Sequence, residues 1–333
     1  MTAKYLSQGS YGCIIIPGYD CKSTLLKDNT ISKLFVNKSD YEIEYKIQET
    51  IKQLDKDGKF TVKMVDKCEI TNKDILSTVT NFYKCSLVKL KSKNIYQILY
   101  DYGGEELNDI FKTPEIFNVI KLLKSFTNIF EGLCVLDTHD IIHNDIKTNN
   151  ILYDKQKQKF NLIDFGLYTT KAEVYESVIY NSSYIKYIYY PPEYAFYYYK
   201  HYFMPLDTIN TTIFIHHLKT KINANLLKRP IRDVYKKAIV KVYDNLNKTK
   251  EEIQAIYDNF LIQDKLTYNI DVYMLGLTLY YFIINMFISL NAQNNIYSIP
   301  LKLFDLIIKM TEIDPYKRIS IHEATKIYKS LFL

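Results

Sequence analysis

The pattern of apolar and polar positions divides the chain into an early part with short strands and a longer part rich in helices. Near the start, Cys13–Ile16 and Ile31–Val36 are apolar runs bounded by turn residues and predict a hairpin, and Ile95–Tyr102 predicts a further strand. Between them, Ser39–Leu54 carries apolar residues at helical spacing behind a Ser/Asp cap. Farther along, helical patterns dominate, beginning with Glu115–Thr138.

One apolar segment has two interpretations. Val272–Leu290 is nineteen residues long and carries no charge, which is enough to suggest a membrane span. A helix that is apolar on every side also fits the centre of a large domain. Gly276, Thr278 and Asn285 weaken the membrane interpretation, and the pattern alone leaves the two balanced.

Composition excludes a disordered chain and says little else about function. The 333 residues are 47% hydrophobic and 24% charged, which is typical of a globular chain of about two domains' length. The chain has 32 Tyr, and only three of its 43 basic residues are Arg, a bias that AT-rich codons produce. The high tyrosine content is therefore attributed to codon use before it is attributed to function. Residues 200–268 hold 12 Lys and Arg against 7 Asp and Glu, which favours a solvated basic face over a docking surface.

The cysteines predict reduced thiols. There are five, an odd number, and none forms a CxxC pair. This argues against a disulfide framework and a zinc knuckle, and it favours a reducing compartment. The N-terminal residues lack the apolar run of a secretory signal. The five are Cys13, Cys21, Cys68, Cys85 and Cys134.

The strongest chemical signal is the segment 143–150, followed by Asp164-Phe165-Gly166. A carboxylate, a lysine two residues on and an amide five residues on can converge on a transferring phosphoryl group. Asp145 would take the proton of the acceptor hydroxyl, and Lys147 would balance charge on the phosphate. Asn150 and Asp164 would hold Mg²⁺, which prefers oxygen ligands. The alternative is a solvated Asn/Asp/Lys loop, which this spacing disfavours.

Near the N-terminus, Gly9 and Gly12 separate two short strands and would let backbone N–H groups approach phosphates. Two glycines at this spacing are more often only a turn. Lys33 places a charge inside an apolar strand, which is costly unless a carboxylate pairs with it. Glu44 on the following predicted helix is the preferred partner, and Glu42 is the competitor.

The order of these motifs resembles that of eukaryotic-type protein kinases, from about residue 4 to the C-terminus. The family's order begins with the glycine loop (Gly9, Gly12), the strand lysine (Lys33), the catalytic loop (145–150) and Asp-Phe-Gly (164–166). Further elements follow in the same order. They are Pro191-Pro192-Glu193, Asp271 with Gly276, and Asp314-Pro315 with Arg318.

The resemblance implies an α+β, two-lobed fold. A small β-rich N-lobe would cover residues 1–102, and a large, mainly helical C-lobe would cover 103–333, with a helical insertion at 194–270. Asp271 would anchor the catalytic loop, and Glu193 would pair with Arg318. The apolar run at 272–290 would then be a core helix and not a membrane span.

The resemblance also implies ATP and Mg²⁺ as cofactors and assigns site residues. Asp145 and Lys147 would be catalytic, and Asn150 and Asp164 would bind the metal. The nucleotide would contact Leu6, Ser7, Gly9, Ser10, Tyr11, Gly12, Ile14, Lys33, Glu44, Asp101 and Gly103.

Lys147 matches the Ser/Thr-specific form of the catalytic loop, so proteins with Ser or Thr acceptors are the implied substrates. The stretch Gly9–Pro17, with Cys21 and Ser32–Phe35, is similar to kinases of the large nucleocytoplasmic DNA viruses. This implies the cytoplasm of an infected cell, with packaging into virions left open. Asn144 stands where the family has an arginine that anchors a phosphorylated activation loop, so we expect activity without that phosphorylation.

The largest departure from the family is the 78-residue separation of Glu193 and Asp271. Phe196–Tyr199 and the basic helical pattern Ile222–Tyr257 lie inside it, and Tyr with Lys can bind single-stranded nucleic acid. A purely structural role is favoured, nucleic acid and membrane are disfavoured as partners, and a protein docking partner is left open. Two other functions compete with a kinase of proteins: an inactive scaffold and a kinase of small molecules.

Overall fold

The computed structural model describes residues 2–9, 12–27, 29–70, 73–86, 94–112, 118–180, 187, 189–203, 231–263, 266–290 and 294–332. The chain forms two compact units. Unit 1 comprises 1–104, 154–157 and 161–166, and unit 2 comprises 105–153, 158–160 and 167–333. The assignment of 1–102 and 103–333 as two lobes of one kinase domain stays a prediction.

Unit 1 contains a five-stranded antiparallel sheet with the order β1-β2-β3-β5-β4 and one long helix, α1. The Asn37 side chain caps α1 by accepting from the Ser39 N–H. The two strands of the expected hairpin are paired, with Lys33 opposite Ile14. The elements are β1 Lys4–Gln8, β2 Cys13–Ile16, β3 Thr30–Phe35, α1 Lys38–Leu54, β4 Met64–Glu69 and β5 Tyr96–Asp101.

Alternation along the strands gives the sheet of unit 1 two apolar clusters. Leu34 is buried in one of them with Cys13 and Ile15. The next residue, Phe35, is buried in the other with Ile98, and there Tyr41 of α1 packs beside it. Because side chains on a strand alternate between faces, Lys33 lies on the same face as Phe35, toward α1.

Two disulfides cross-link unit 1, so the expectation of a chain without a disulfide framework is wrong. Cys13 is bonded to Cys85, and Cys21 is bonded to Cys68, with Cα–Cα distances of 5.9 and 5.8 Å. Cys134 has a free thiol. The bonded residues are 72 and 47 positions apart, and the packing of unit 1 brings them together. Counting and spacing along the chain carry no information about such long-range pairs.

Unit 2 is mainly helical. Its helices are α2 Val119–Ser125, α3 Thr127–Thr138, α4 Val174–Tyr180, α5 Pro192–His201, α6 Asp233–Leu246, α7 Lys250–Ile262, α8 Ile270–Ser289, α9 Lys302–Met310 and α10 Ile321–Ser330. The remaining strands are β6 Glu105–Glu106, β7 Ile141–Ile142, β8 Ile151–Asp154, β9 Lys159–Leu162 and β10 Thr169–Thr170. They form the pair β10-β7 and a sheet with the order β6-β8-β9.

Helix α8 contains the uncharged segment whose interpretation the sequence left balanced. By length and composition it could cross a membrane, but 83% of its most apolar window is buried among the other elements. Gly276 lets α9 approach closely, because a Cβ there would lie 2.9 Å from the Cβ of Met310. Burial on all sides is the arrangement expected of a core helix.

The helical pattern Glu115–Thr138 is interrupted in the structure, and 113–117 lie outside the described residues. Helices α2 and α3 meet at Phe126, which is completely buried. Just before it, the Ser125 hydroxyl donates to the carbonyls of Lys121 and Leu122. Such side-chain bonds compete with the regular helical ladder, which accounts for the break.

The described residues between Glu193 and Asp271 belong mostly to three helices, α5, α6 and α7, whereas 204–230 lie outside the described part of the chain. The basic pattern predicted for Ile222–Tyr257 is divided, because Thr249 opens a new helix with a capping box to Glu252. Phe196 is buried against α7 in one apolar cluster. This arrangement supports the structural interpretation of the aromatic run over nucleic-acid binding.

Reduction should destabilise unit 1, because each disulfide restricts the unfolded chain by closing a long loop. We expect Cys13→Ser to lower the free energy of unfolding by about 4 kcal/mol. Cys134→Ser, which removes the free thiol, is the matched control and should change it little. Urea unfolding of both variants measures the difference, and peptide mapping without reductant identifies the bonded pairs. Equal stability of the two variants would contradict the pairing.

Candidate active site

The loop at 143–145 is anchored by one half-buried carboxylate from α8. Asp271 Oδ2 accepts the His143 N–H at 2.7 Å, and Oδ1 accepts the Asn144 N–H at 3.0 Å. Burial raises the pKa of Asp271 to about 7, and the two backbone N–H groups act in the opposite direction. Asp271 therefore has the anchoring position that the resemblance implied.

Asp145 is the centre of a compact polar cluster in unit 2. Lys147 Nζ lies 2.7 Å from Asp145 Oδ2, and Asn150 Nδ2 donates to the same oxygen at 2.8 Å. Asn150 Nδ2 also donates to the Asp145 carbonyl at 2.8 Å. The residues at positions 145, 147 and 150 thus meet as their spacing predicted.

The backbone around Asp145 has an unusual conformation. Asn144 adopts φ +63°, in the left-handed region that Asn tolerates better than most residues. The Asp145 N–H donates to His143 Nδ1 at 3.2 Å, so this ring nitrogen is unprotonated. His143 is completely buried. Thr278 Oγ1 of α8 donates to the Met274 carbonyl of its own helix at 2.8 Å and lies 3.3 Å from the Ile146 carbonyl. The loop is thus in contact with α8 on both sides of Asp145.

In unit 1, Lys33 pairs with Glu44 and not with Glu42. Lys33 Nζ lies 2.9 Å from Glu44 Oε1, and the two side chains are 14% and 8% exposed. Glu42 is on the exposed surface of α1, where it faces Lys38 at 3.7 Å. Tyr100 of β5 also donates to Glu44 Oε1, at 3.2 Å. Burial, followed by the charge of Glu44, raises the pKa of Tyr100 well above its usual range, so its hydroxyl remains a donor.

The two glycines of the loop after β1 are under different constraints. A Cβ at Gly12 would lie 2.5 Å from the Leu34 carbonyl oxygen on β3, whereas a Cβ at Gly9 would lie 4.0 Å from the Gly12 carbonyl oxygen, an ordinary contact. Gly12 is therefore required by the sheet itself. The Gly9 N–H donates to the Gly12 carbonyl at 2.9 Å, which closes the turn. Ser10 and Tyr11, assigned to the nucleotide, lie outside the described residues.

Other residues assigned to the nucleotide also belong to unit 1. Ser7 of β1 is paired with Ile14 of β2, and Leu6 lies at an irregularity of this ladder with 46% of its surface exposed. At the end of β5, the Asp101 N–H donates to the Lys63 carbonyl at 3.0 Å. The Gly103 carbonyl accepts from Asn161 Nδ2 at 2.7 Å. These backbone groups are engaged within the unit, so adenine would have to contact other atoms at 101–103.

Asp164 belongs to unit 1, whereas Asn150 belongs to unit 2. Asp164 is exposed and adopts φ +61°. The charge of Asp164 also raises the pKa of Tyr100, although burial and Glu44 have larger effects. A carboxylate, as on Asp164, and an amide oxygen, as on Asn150, are each types of ligand that Mg²⁺ prefers. Asn150 uses its amide nitrogen for Asp145, which leaves its oxygen as the ligand atom.

A fully buried ion pair fixes the start of α5. Arg318 forms a two-pronged contact with Glu193, in which Nη2 lies 2.9 Å from Oε2, and both side chains are completely shielded from solvent. Arg318 also donates to the carbonyls of Glu312 at 2.9 Å and Asn269 at 3.2 Å. Four of the five N–H donors of the guanidinium are thus used, which compensates for burying its charge.

Three hydroxyl groups at the site had no signal in the sequence. Tyr100 bonds Glu44, Thr278 contacts the Ile146 carbonyl, and Tyr194 of α5 donates to Asn144 Oδ1 at 2.5 Å. In a chain with 32 Tyr, no tyrosine stands out by its type. Only the three-dimensional neighbours distinguish these residues from the other tyrosines and threonines.

The arrangement in unit 2, a carboxylate held by a lysine and an amide on an anchored loop, is that of a phosphoryl-transfer site. The description that matches the chain is "protein kinase domain", over residues 38–328. The chain therefore belongs to the protein kinase family. The match begins after the glycine loop and Lys33, so the assignment of those residues depends on the geometry described above.

Individual relatives agree with this family. The chain is 30% identical to serine/threonine-protein kinase 1 of Heliothis zea nuclear polyhedrosis virus, over 46% of this chain and 49% of the relative. It is 27% identical to a probable serine/threonine-protein kinase of fowlpox virus, over 44% and 57%. A dual specificity protein kinase of Saccharomyces cerevisiae is 27% identical, over 48% and 18%. The alignments span about half the length of the two viral relatives.

The raised pKa of Asp271 predicts a pH-dependent contribution to stability. The unfolded carboxyl ionises near pH 3.8, whereas the folded one keeps its proton to about pH 7. Within this window the folded state binds more protons, so the stability that Asp271 contributes falls as pH rises. We expect the difference in unfolding free energy, wild type minus Asp271→Asn, to decrease as the pH rises from 3.8 to about 7.

Urea unfolding at a series of pH values measures this difference. Asp305→Asn removes an exposed carboxylate on α9 and is the control for general effects of charge. A difference between wild type and Asp271→Asn that is constant with pH would show that Asp271 ionises equally in both states.

Proposed function

We propose that this chain is an ATP-dependent serine/threonine protein kinase that transfers the γ-phosphate of Mg-ATP to protein hydroxyls. The observation that carries the proposal is the anchored cluster in which Lys147 and Asn150 both hold one oxygen of Asp145. Membership of the protein kinase family and the kinase names of the viral relatives support it.

In this proposal each residue has one task. Asp145, whose Oδ2 is held by Lys147 and Asn150, orients the acceptor hydroxyl and takes its proton. Lys147 then balances the charge that develops on the phosphate. Lys33, kept in place by Glu44, contacts the phosphates of ATP. Asn150 and Asp164 hold Mg²⁺, which supplies charge neutralisation at the phosphate oxygens.

The wider role is proposed on the same basis. Because two relatives are viral, the cytoplasm of an infected cell is the proposed location, with packaging into virions left open. The 78 residues that separate Glu193 from Asp271 leave room for a protein docking partner at 194–270. Since Asn144 cannot bind a phosphate as an arginine does, activity should not need a phosphorylated activation loop.

The direct test is transfer of labelled γ-phosphate from Mg-ATP to casein and myelin basic protein. We expect phosphoserine or phosphothreonine with wild type and a loss of about a thousandfold with Asp145→Asn, because the base is gone while the contacts of its loop remain. Chelation of Mg²⁺ should also abolish transfer. Normal turnover by folded Asp145→Asn would exclude Asp145 as the base. Nucleotide binding without transfer would favour a scaffold, and phosphotyrosine as the main product would contradict the acceptor class.

Lys33 offers a test with a control on the adjoining helix. Lys33→Ala should lower kcat/KM about a hundredfold or more, because a charge that contacts the phosphates is removed. Lys38→Ala breaks only the exposed pair with Glu42 and should leave kcat/KM unchanged. Thermal unfolding verifies that both variants fold. Equal kinetics of the two variants would exclude Lys33 from ATP binding.

A further inference from the structure

The residue directly before Asp145 is held at two points by two different helices. The backbone N–H of Asn144 is bound by Asp271 of α8, and its side-chain oxygen accepts the hydroxyl of Tyr194 from α5 at 2.5 Å. Asn144 is 1% exposed and Tyr194 is completely buried, so water does not compete for this bond. Two anchors on one residue fix the direction in which the next residue leaves it.

The hydroxyl of Tyr194 is suited to this task chemically. Burial raises the pKa of Tyr194 well above its usual range, so its hydroxyl remains a neutral donor. Its ring is confined by Tyr175 at 6.2 Å and by Tyr190 at 5.3 Å between ring centres. A confined ring holds its hydroxyl in one place at little further entropic cost.

The contacts around Tyr194 close a circuit within unit 2. Tyr194 follows Glu193, whose carboxylate is paired with Arg318. Arg318 donates to the Asn269 carbonyl, two residues before Asp271. Asp271 then binds the backbone of Asn144, and Asn144 returns to Tyr194. Both anchors of Asn144 are therefore fixed by the same buried ion pair, and they cannot move independently.

We propose that Tyr194 is a positioning residue of the catalytic loop, whose buried hydroxyl orients Asn144 and thereby places the carboxylate of Asp145 for catalysis. This inference rests on the proposed function. The alignment of Asp145 then depends on the uncharged hydroxyl of Tyr194 and on the ion pair of Glu193 with Arg318. Tyr194 acts through Asn144, so its loss should change turnover more than the binding of ATP.

The test is Tyr194→Phe, which removes only the hydroxyl and leaves the Asn144 oxygen buried without that donor. We expect kcat to fall about tenfold, the cost of an unmade buried hydrogen bond, with KM for ATP nearly unchanged. Tyr328→Phe is the matched control, because Tyr328 is also completely buried and donates to one carbonyl, that of Leu123. It should lose comparable thermal stability and keep the wild-type kcat.

A second variant tests the partner. Asn144→Gly keeps the positive φ and removes the accepting oxygen, and combining it with Tyr194→Phe should lower kcat no further than Asn144→Gly alone. Multiplying effects, or a wild-type kcat in Tyr194→Phe, would overturn the inference.

Amide hydrogen exchange gives a readout that does not require activity. The N–H groups of His143 and Asn144 should exchange faster in Tyr194→Phe than in Tyr328→Phe, because one anchor of the loop is gone. Equal exchange would overturn the inference. If wild type transfers no phosphate, the proposed function fails, and the exchange result still decides whether Tyr194 holds this loop.

Discussion

The backbone conformation at 143–145 depends on a carboxylate that is expensive to bury. Asp271 is half-buried at the start of an apolar helix, and it is held there by two backbone N–H groups at 2.7 and 3.0 Å. A buried carboxylate is tolerated when its oxygens accept hydrogen bonds. The stabilisation is mutual, since the N–H groups of His143 and Asn144 would otherwise be unpaired in a loop with φ +63° at Asn144. The loop and the helix therefore stabilise each other.

The same principle recurs at the other polar centres. Glu44 accepts from both Lys33 and Tyr100, and Arg318 distributes its donors among Glu193 and two carbonyl groups. Each centre is a buried charge whose remaining hydrogen-bonding capacity is used by neighbours. Such centres lose more from the removal of one partner than they gain over an apolar core, so they contribute to specificity of geometry more than to stability.

Strands β2, β3 and β5, helix α1 and the cluster around Asp145 followed from local patterns, because period, caps and short spacing can be read along the chain. The sequence preferred Glu44 as the partner of Lys33, and only the structure excluded Glu42. Other features depend on residues far apart in sequence. The disulfide of Cys13 with Cys85 arises from the packing of unit 1, and the break at Phe126 depends on side-chain bonds within a helical pattern. Codon bias explains why tyrosines are abundant, but it does not explain why Tyr194 is buried against Asn144.

Gly9 and Gly12 look equivalent in the sequence, yet the structure constrains them differently. The carbonyl of Leu34 excludes any side chain at position 12, whereas position 9 has room for one. A natural variant that differs at residue 12 would thus carry information about folding of the sheet. A variant that differs at residue 9 would instead carry information about the ligand that the loop accommodates. In a genome that drifts toward AT-rich codons, Gly12 is constrained even in a descendant that has lost catalysis, and Gly9 is free to change.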